Sequence, residues 1–241
     1  MARVHFFALS DRWVSAENND AFCAEKIGKY HVFGVAEGLS DLPGSGSASG
    51  VAISSLRESV QRPEGSPAAV LEAAVYRSEA RINAHSGKTQ NIRDATHLSA
   101  CLIDDNLDCT ILDTGEGNAY LISPDTIQVP ADFPASVQPA VPDFLSRKPG
   151  DEKKRADMIS RTLGEPHMLK KSDFATVSLR NLFLLLSSGG LHDFVKKERI
   201  AEIVVQNGEN VETSCQHLMQ EAHSAGSEQT VTIVLVHGHP D

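Results

Sequence analysis

Residues 182–186, Leu-Phe-Leu-Leu-Leu, form an unbroken apolar run with Arg180, Asn181, Ser187 and Ser188 on either side. A half-exposed strand alternates apolar with polar residues. A short run with no polar face reads instead as a strand buried on both sides. The rest of the chain therefore has to cover a sheet from two directions, and its elements are read with that demand in mind.

Residues 5–10 and 29–36 are short, β-rich and bounded by polar or glycine-bearing sequence, which predicts two early strands. Ala48, Val51, Ala52, Ser55 and Leu56 recur at helical spacing and predict a helix over 47–60. A second helix has Ser66 as N-cap, Pro67 at its first position, Leu71, Val75 and Ile82 along one face, and Gly87 as a stop. The runs 97–103, 107–113 and 119–122, separated by turn-like Asp104-Asp105-Asn106 and Gly115-Glu116-Gly117, predict an antiparallel meander. A helix follows over 197–206, stopped by Asn207-Gly208. The last helix gathers Val211, Cys215, Leu218, Met219 and Ala222 on one face, and 230–236 closes as a strand. Hairpins outnumber crossovers, so the expected class is α+β, with antiparallel sheets covered by helices. The whole span 1–241 reads as a single domain. Residues 130–155 carry five prolines and no periodicity, and read as a flap-like excursion.

Composition narrows the partners. With 22 Lys and Arg against 32 Asp and Glu, the net charge of −10 repels a phosphate backbone, which excludes nucleic acid as an expected partner. Residues 1–10 lack the pattern of a secretory signal and the run at 182–186 is too short to span a bilayer, so a cytoplasmic protein with no membrane contact is expected. Cys23, Cys101, Cys109 and Cys215 have no metal-binding spacing and read as buried thiols. His237 and His239 fall where the chain is expected to fray and read as incidental. Arg147, Lys148 and residues 153–155 make the excursion basic: a solvated loop, or a docking surface.

Several segments, in order, resemble the motifs of the type 2C metal-dependent protein phosphatases. Val-Ser-Ala-Glu-Asn-Asn-Asp-Ala-Phe at 14–22 is similar to that family's opening Arg-x-x-Asn-Glu-Asp element, and Phe-Gly-Val-Ala-Glu-Gly-Leu at 33–39 to its Val-Ala-Asp-Gly-Met-Gly-Gly turn. Ala48-Ser49 matches the start of its first helix. Residues 112–122 resemble its Asn-x-Gly-Asp-Ser-Arg-x-Tyr-Leu hairpin, and 159–164 the short helix ending in Leu-Gly. Residues 184–194 resemble Leu-Ala-Ser-Asp-Gly-Leu-Trp-Asp, and 226–236 the closing Gly-Ser-x-Asp-Asn-x-Thr strand. The resemblance implies an α-β-β-α sandwich of two antiparallel sheets flanked by helices.

In that family a ring of carboxylates holds two divalent cations, and the water between them attacks phosphorus in line. The resemblance places the phosphate-binding Arg on Ser15, a carboxylate ligand on Asn19, two core aspartates on Gly189 and Gln229, and the proposed acid on Leu42. Catalytic positions are thus degenerate at Ser15, Asn19, Leu42, Gly189 and Gln229. Asp20 is retained, and Glu37 stands for the bridging Asp with one more methylene. Asp20, Glu37 and Gly38 remain as metal-binding candidates, with Glu116 and Asp193 at positions that help hold a third ion in some members. Bland alternatives stand beside these: Asp20 and Glu37 as leftover surface carboxylates, Glu116 as an ordinary turn residue, Asp193 as a helix cap ahead of Phe194, and His192 as a packed residue.

Loss of anchor, ligands and acid together implies a pseudophosphatase: a noncatalytic binding or regulatory module in protein phosphorylation signalling, with a kinase or phosphoprotein as partner and no cofactor expected. The competing reading is an atypical protein serine/threonine phosphatase using Mn²⁺ or Mg²⁺ in a rearranged acidic site. A third is a subunit of a larger assembly.

Overall fold

The computed structural model describes residues 3–14, 17–39, 45–86, 95–114, 119–124, 127–128, 162–164 and 173–240. Within these, ten strands and five helices follow in order: β1 (Arg3–Asp11), β2 (Ala21–Ile27), β3 (Tyr30–Gly38), α1 (Ser45–Gln61), α2 (Pro67–Ser86), β4 (Thr96–Ile103), β5 (Asp108–Asp113), β6 (Ala119–Ile122), β7 (Ile127–Gln128), β8 (Phe174–Ser178), β9 (Phe183–Ser187), α3 (Gly189–His192), α4 (Lys197–Asn207), α5 (Val211–Ser224) and β10 (Val231–His239). The strands form two five-stranded sheets, β1-β10-β9-β6-β7 and β2-β3-β4-β5-β8, antiparallel at every described pairing.

The run at 182–186 supplies β9, and the structure covers both of its faces. Phe183 and Leu185 pack with the helices α3, α4 and α5, whereas Leu184 and Leu186 point into the layer between the sheets. A third layer joins α1 and α2 to the outer face of the second sheet through Leu56, Leu71, Val75, Leu98 and Leu102. Each fully buried leucine contributes roughly 1.5–3 kcal/mol, so the three apolar layers are what hold the sheets face to face. The second helix begins as its sequence specifies: Ser66 Oγ accepts from Ala69 N–H at 3.3 Å, just past Pro67 in the first turn.

Four expectations need correction. β2 is a strand that the sequence pattern does not announce; Cys23 is its one buried residue, and Glu25 and Lys26 blur its alternation, as suits an edge strand. The runs at 97–103, 107–113 and 119–122 are not one meander. β4 and β5 pair in one sheet, and β6 crosses to pair with β9 and β7 in the other. The chain does not fray at His237 and His239, because β10 continues through both with β1 alongside. Asp193 follows α3 as its C-cap, and the N-cap of α4 is Lys196. The excursion at 130–155 and Gly87 lie outside the described residues. Among those residues, no helix is long and apolar enough to cross a membrane, and all four cysteines are buried thiols.

Candidate functional site

Period-two alternation builds the site. Phe33 and Val35 of β3, Cys101 of β4, Ile111 of β5, Leu184 and Leu186 of β9, and Val234 and Val236 of β10 all face the layer between the sheets. Two residues farther along each strand, the same parity delivers Glu37, Ser99, Asp113, Ser188 and Thr232. The pairing registers Glu37↔His97 and Ser99↔Asp113 set these side by side. One end of an otherwise apolar layer is therefore polar, and the residues singled out by resemblance gather there.

A chain of hydrogen bonds crosses from the first strand to the last. Asn18 Nδ2 donates to Ser10 Oγ at 2.9 Å, Ser10 and Thr232 hydroxyls lie 2.8 Å apart, and Thr232 Oγ1 donates to Asp20 Oδ2 at 2.7 Å. Ser188 Oγ accepts from Thr232 N–H at 3.0 Å. Asn19 acts through its backbone: its carbonyl accepts from Gly38 N–H at 3.2 Å and from Ser49 Oγ at 2.6 Å, which ties the loop to β3 and α1. Asp20 is thus no leftover surface carboxylate. Burial pushes its carboxyl up to about 6, against the opposing pull of hydrogen bonds from Thr232, Ser188 and the Gly38 backbone.

Gly189 sits at the centre of this polar cluster. Its N–H donates to Glu37 Oε1 at 3.0 Å. A Cβ built on Gly189 would lie 2.8 Å from Glu37 Oε1, 3.0 Å from Asp193 Oδ2 and 3.5 Å from Gln229 Oε1. The Glu37 carboxylate occupies the space a side chain at 189 would fill. Glu37 and Gly189 are thus in direct contact, and neither can change without affecting the other. Gly190 is fixed for another reason, since a Cβ there would collide with the Thr230 carbonyl oxygen. Burial also raises the Asp193 carboxyl to about 6. His192 is packed, as expected: its side chain is 6% exposed, and burial lowers it to about 4.

The structure brings Asp20, Glu37, Gly38, Gly189, Asp193 and Gln229 to this end of the sandwich, while Ser15, Leu42 and Glu116 lie outside the described residues. Sequence reasoning missed Ser10, Ser188, Thr232, His97, Ser99 and Asp113. Their signal was the switch from apolar to polar at constant parity, as in Val236, Val234, Thr232 and in Leu184, Leu186, Ser188.

No family model and no curated protein matches the sequence. Solved structures do match. The catalytic domain of the serine/threonine protein phosphatase PstP, in complex with two manganese ions, superposes with a TM-score of 0.78 at 24% identity over 100% of both chains. The chain has the fold of the type 2C phosphatases. The serine/threonine phosphatase Stp1 from Staphylococcus aureus is similar at TM-score 0.77 and 19% identity, over 98% of this chain and 95% of that one. PppA, a key regulatory component of T6SS in Pseudomonas aeruginosa, gives 0.76 and 15% over 98% and 97%.

The donor set of this type 2C-like chain does not fit a two-ion centre. Gly189 offers no side chain, Gln229 offers a neutral amide, Glu37 Oε1 is engaged by a backbone N–H, and Asp20 Oδ2 by a hydroxyl. Mg²⁺ and Mn²⁺ demand several anionic oxygens at set distances, which this arrangement does not supply.

Proposed function

We propose that this chain is a pseudophosphatase: a noncatalytic type 2C-like domain that works in the cytoplasm as a binding or regulatory module, with a kinase or phosphoprotein as partner. The observation that carries the reading is the hydrogen bond from Gly189 N–H to Glu37 Oε1. It closes the gap left by the missing side chain with a carboxylate that the resemblance assigns to metal, so the cleft is repaired as structure at the expense of its ligand set. The flanking hydrogen bonds of Asp20 and Thr232 serve the same end, joining the two sheets at their polar edge.

One observation favours a second reading, an atypical metal-dependent serine/threonine phosphatase. Oxygens of Glu37, Asp193 and Gln229 converge on a single point beside Gly189, and a single hard cation would draw on those oxygens.

The two are separated by assaying a generic phosphoester and a phosphothreonine peptide with excess Mn²⁺, beside a calorimetric Mn²⁺ titration. The pseudophosphatase reading expects no turnover and no stoichiometric uptake. Turnover lost in Asp20→Ala, or one Mn²⁺ bound per chain and lost in Glu37→Ala, establishes the second reading.

A further inference from the structure

At the opposite end of the first sheet, three histidines share one face. His5 of β1 stands directly across from His237 of β10, and His239 follows two residues on. Their parity is that of Phe7, Leu9, Ile233 and Leu235, which pack towards the helices, so the trio lies on the other face from the cleft residues as well as at the other end. The ring centroids of His5 and His239 are 6.4 Å apart, and those of His237 and His239 are 6.1 Å apart. Glu209, in the connection between α4 and α5, reaches the group from the helix layer, its Oε1 lying 3.2 Å from His239 Nε2.

The backbone beneath the trio is held from several sides. β10 is paired through His237 with β1 on one side and with Phe183 of β9 on the other. Gly238 donates to the Leu182 carbonyl and accepts from Asn181 N–H, and a Cβ there would collide with the Leu179 carbonyl oxygen. The His237 ring lies flat against Phe183 at 4.2 Å. His237 is 6% exposed, and its buried Nδ1 has no hydrogen-bond partner. A buried nitrogen left unsatisfied costs about 1–3 kcal/mol, and a metal ion at this nitrogen would remove that cost.

We propose that His5, His237 and His239, with Glu209 beside them, form a site for a borderline divalent transition metal, Zn²⁺ above all. Three neutral imidazoles and a carboxylate suit Zn²⁺ rather than the hard cations of the fold's cleft. A His-x-His pair on one strand, with a third histidine cross-strand to it, places three Cβ atoms on one face within imidazole reach of a common point. Without the ion, these side chains stand too far apart to count as a formed site. With Zn–N near 2.0–2.1 Å in a tetrahedron, imidazole centroids sit roughly 5 Å apart, so the His239 ring has to approach His5 and His237, now at 6.4 and 6.1 Å, and all three rings have to turn through their side-chain torsions to share one ion. His239 must release or share Glu209, which then orients that ring or takes the fourth position. Among the described residues of this strand pair, Arg3, opposite His239, is the one opposing charge on the face, and it is exposed and long enough to turn into water. The metal would clamp the first strand to the last and to the α4–α5 connection. This site is independent of the cleft and of its function.

The test is a calorimetric and thermal-melting titration of the full chain, stripped with chelator, using Zn²⁺ alone as the probe. Expected is one Zn²⁺ per chain with a Kd below about 10 μM, a melting midpoint that rises with Zn²⁺, and a tetrahedral visible spectrum when Co²⁺ replaces it. His5→Ala and His239→Ala, both only partly buried, each weaken binding by about tenfold or more, and the double variant abolishes it. Buried His237 is left intact so that folding is not at issue. His217→Ala on α5 and Glu37→Gln in the cleft leave Zn²⁺ binding as it was. No binding below about 100 μM, or a double variant that binds like the parent, overturns the site.

Discussion

The two ends of the layer between the sheets obey the same alternation and are used differently. At one end Phe33, Cys101, Leu184, Leu186, Val234 and Val236 fill the space with apolar volume. At the other, the same parity delivers Glu37, Ser99, Asp113, Ser188 and Thr232, with hydrogen bonds joining Ser99 to Asp113, Thr232 to Ser188 and Gly189 to Glu37. The apolar end is what the fold requires, and it is complete. The polar end is where a phosphatase of this fold would do its chemistry, and there Gly189, which has no side chain, donates its backbone N–H to Glu37 Oε1. Packing and polar contacts thus draw on different residues of the same strands.

The contrast can be broken first at the apolar end. Leu186→Ala removes a fully buried side chain from the layer and should cost about 2–5 kcal/mol in urea denaturation. A loss well under about 1 kcal/mol would mean that the layer collapses around the gap and is not the tightly packed end.

At the polar end the sign reverses. The Asp20 carboxyl sits at about 6 in the folded chain against an ordinary 3.8, so the folded state holds its proton more tightly than the unfolded chain does. Its contribution is therefore destabilising: absent below about pH 4, growing between about 4 and 6, and complete above about 6, where two pH units of displacement amount to roughly 3 kcal/mol. Asp20→Asn keeps an acceptor for Thr232 and should be more stable than the parent at about pH 8 but not at about pH 4. Equal differences at both, read from thermal midpoints, would show that Asp20 is not desolvated.

The smallest effect is the sharpest. Gly189→Asp alone sets its Cβ against Glu37 Oε1 and Asp193 Oδ2, and Glu37→Asp alone withdraws the acceptor from Gly189 N–H. Each should destabilise, and the double variant should recover a coupling of about 0.5–3 kcal/mol in a denaturation cycle. Strict additivity would mean that positions 37 and 189 changed independently.

Much of the fold is legible in the sequence because its signals are local. The unbroken run of β9, the Ser66-Pro67 start of α2 and the spaced face of α5 each specify their own element. β2 is hidden because an edge strand buries little, and β6 is misplaced because sheet membership is decided by Leu184, Leu185 and Leu186, far along the chain. Resemblance locates Asp20, Glu37, Gly189, Asp193 and Gln229, but it presents the changes at 37 and 189 as separate losses. Their contact depends on a hydrogen bond between residues 152 positions apart, which no local pattern carries.

The order of strands in the first sheet also governs how the protein comes into being on the ribosome. β10 lies between β1 and β9, so among the described strands β1 has no neighbour in its sheet until β10 arrives. The second sheet, with α1 and α2, can assemble while synthesis continues, but the hydroxyl pair Ser10–Thr232 spans 222 positions and closes last. β1 must meanwhile be kept from pairing elsewhere, and a chain stopped before Val231 lacks both that partner and the Thr232 that holds Asp20. The polar network of the cleft therefore forms only once Thr232 has come to lie beside Ser10 and Asp20.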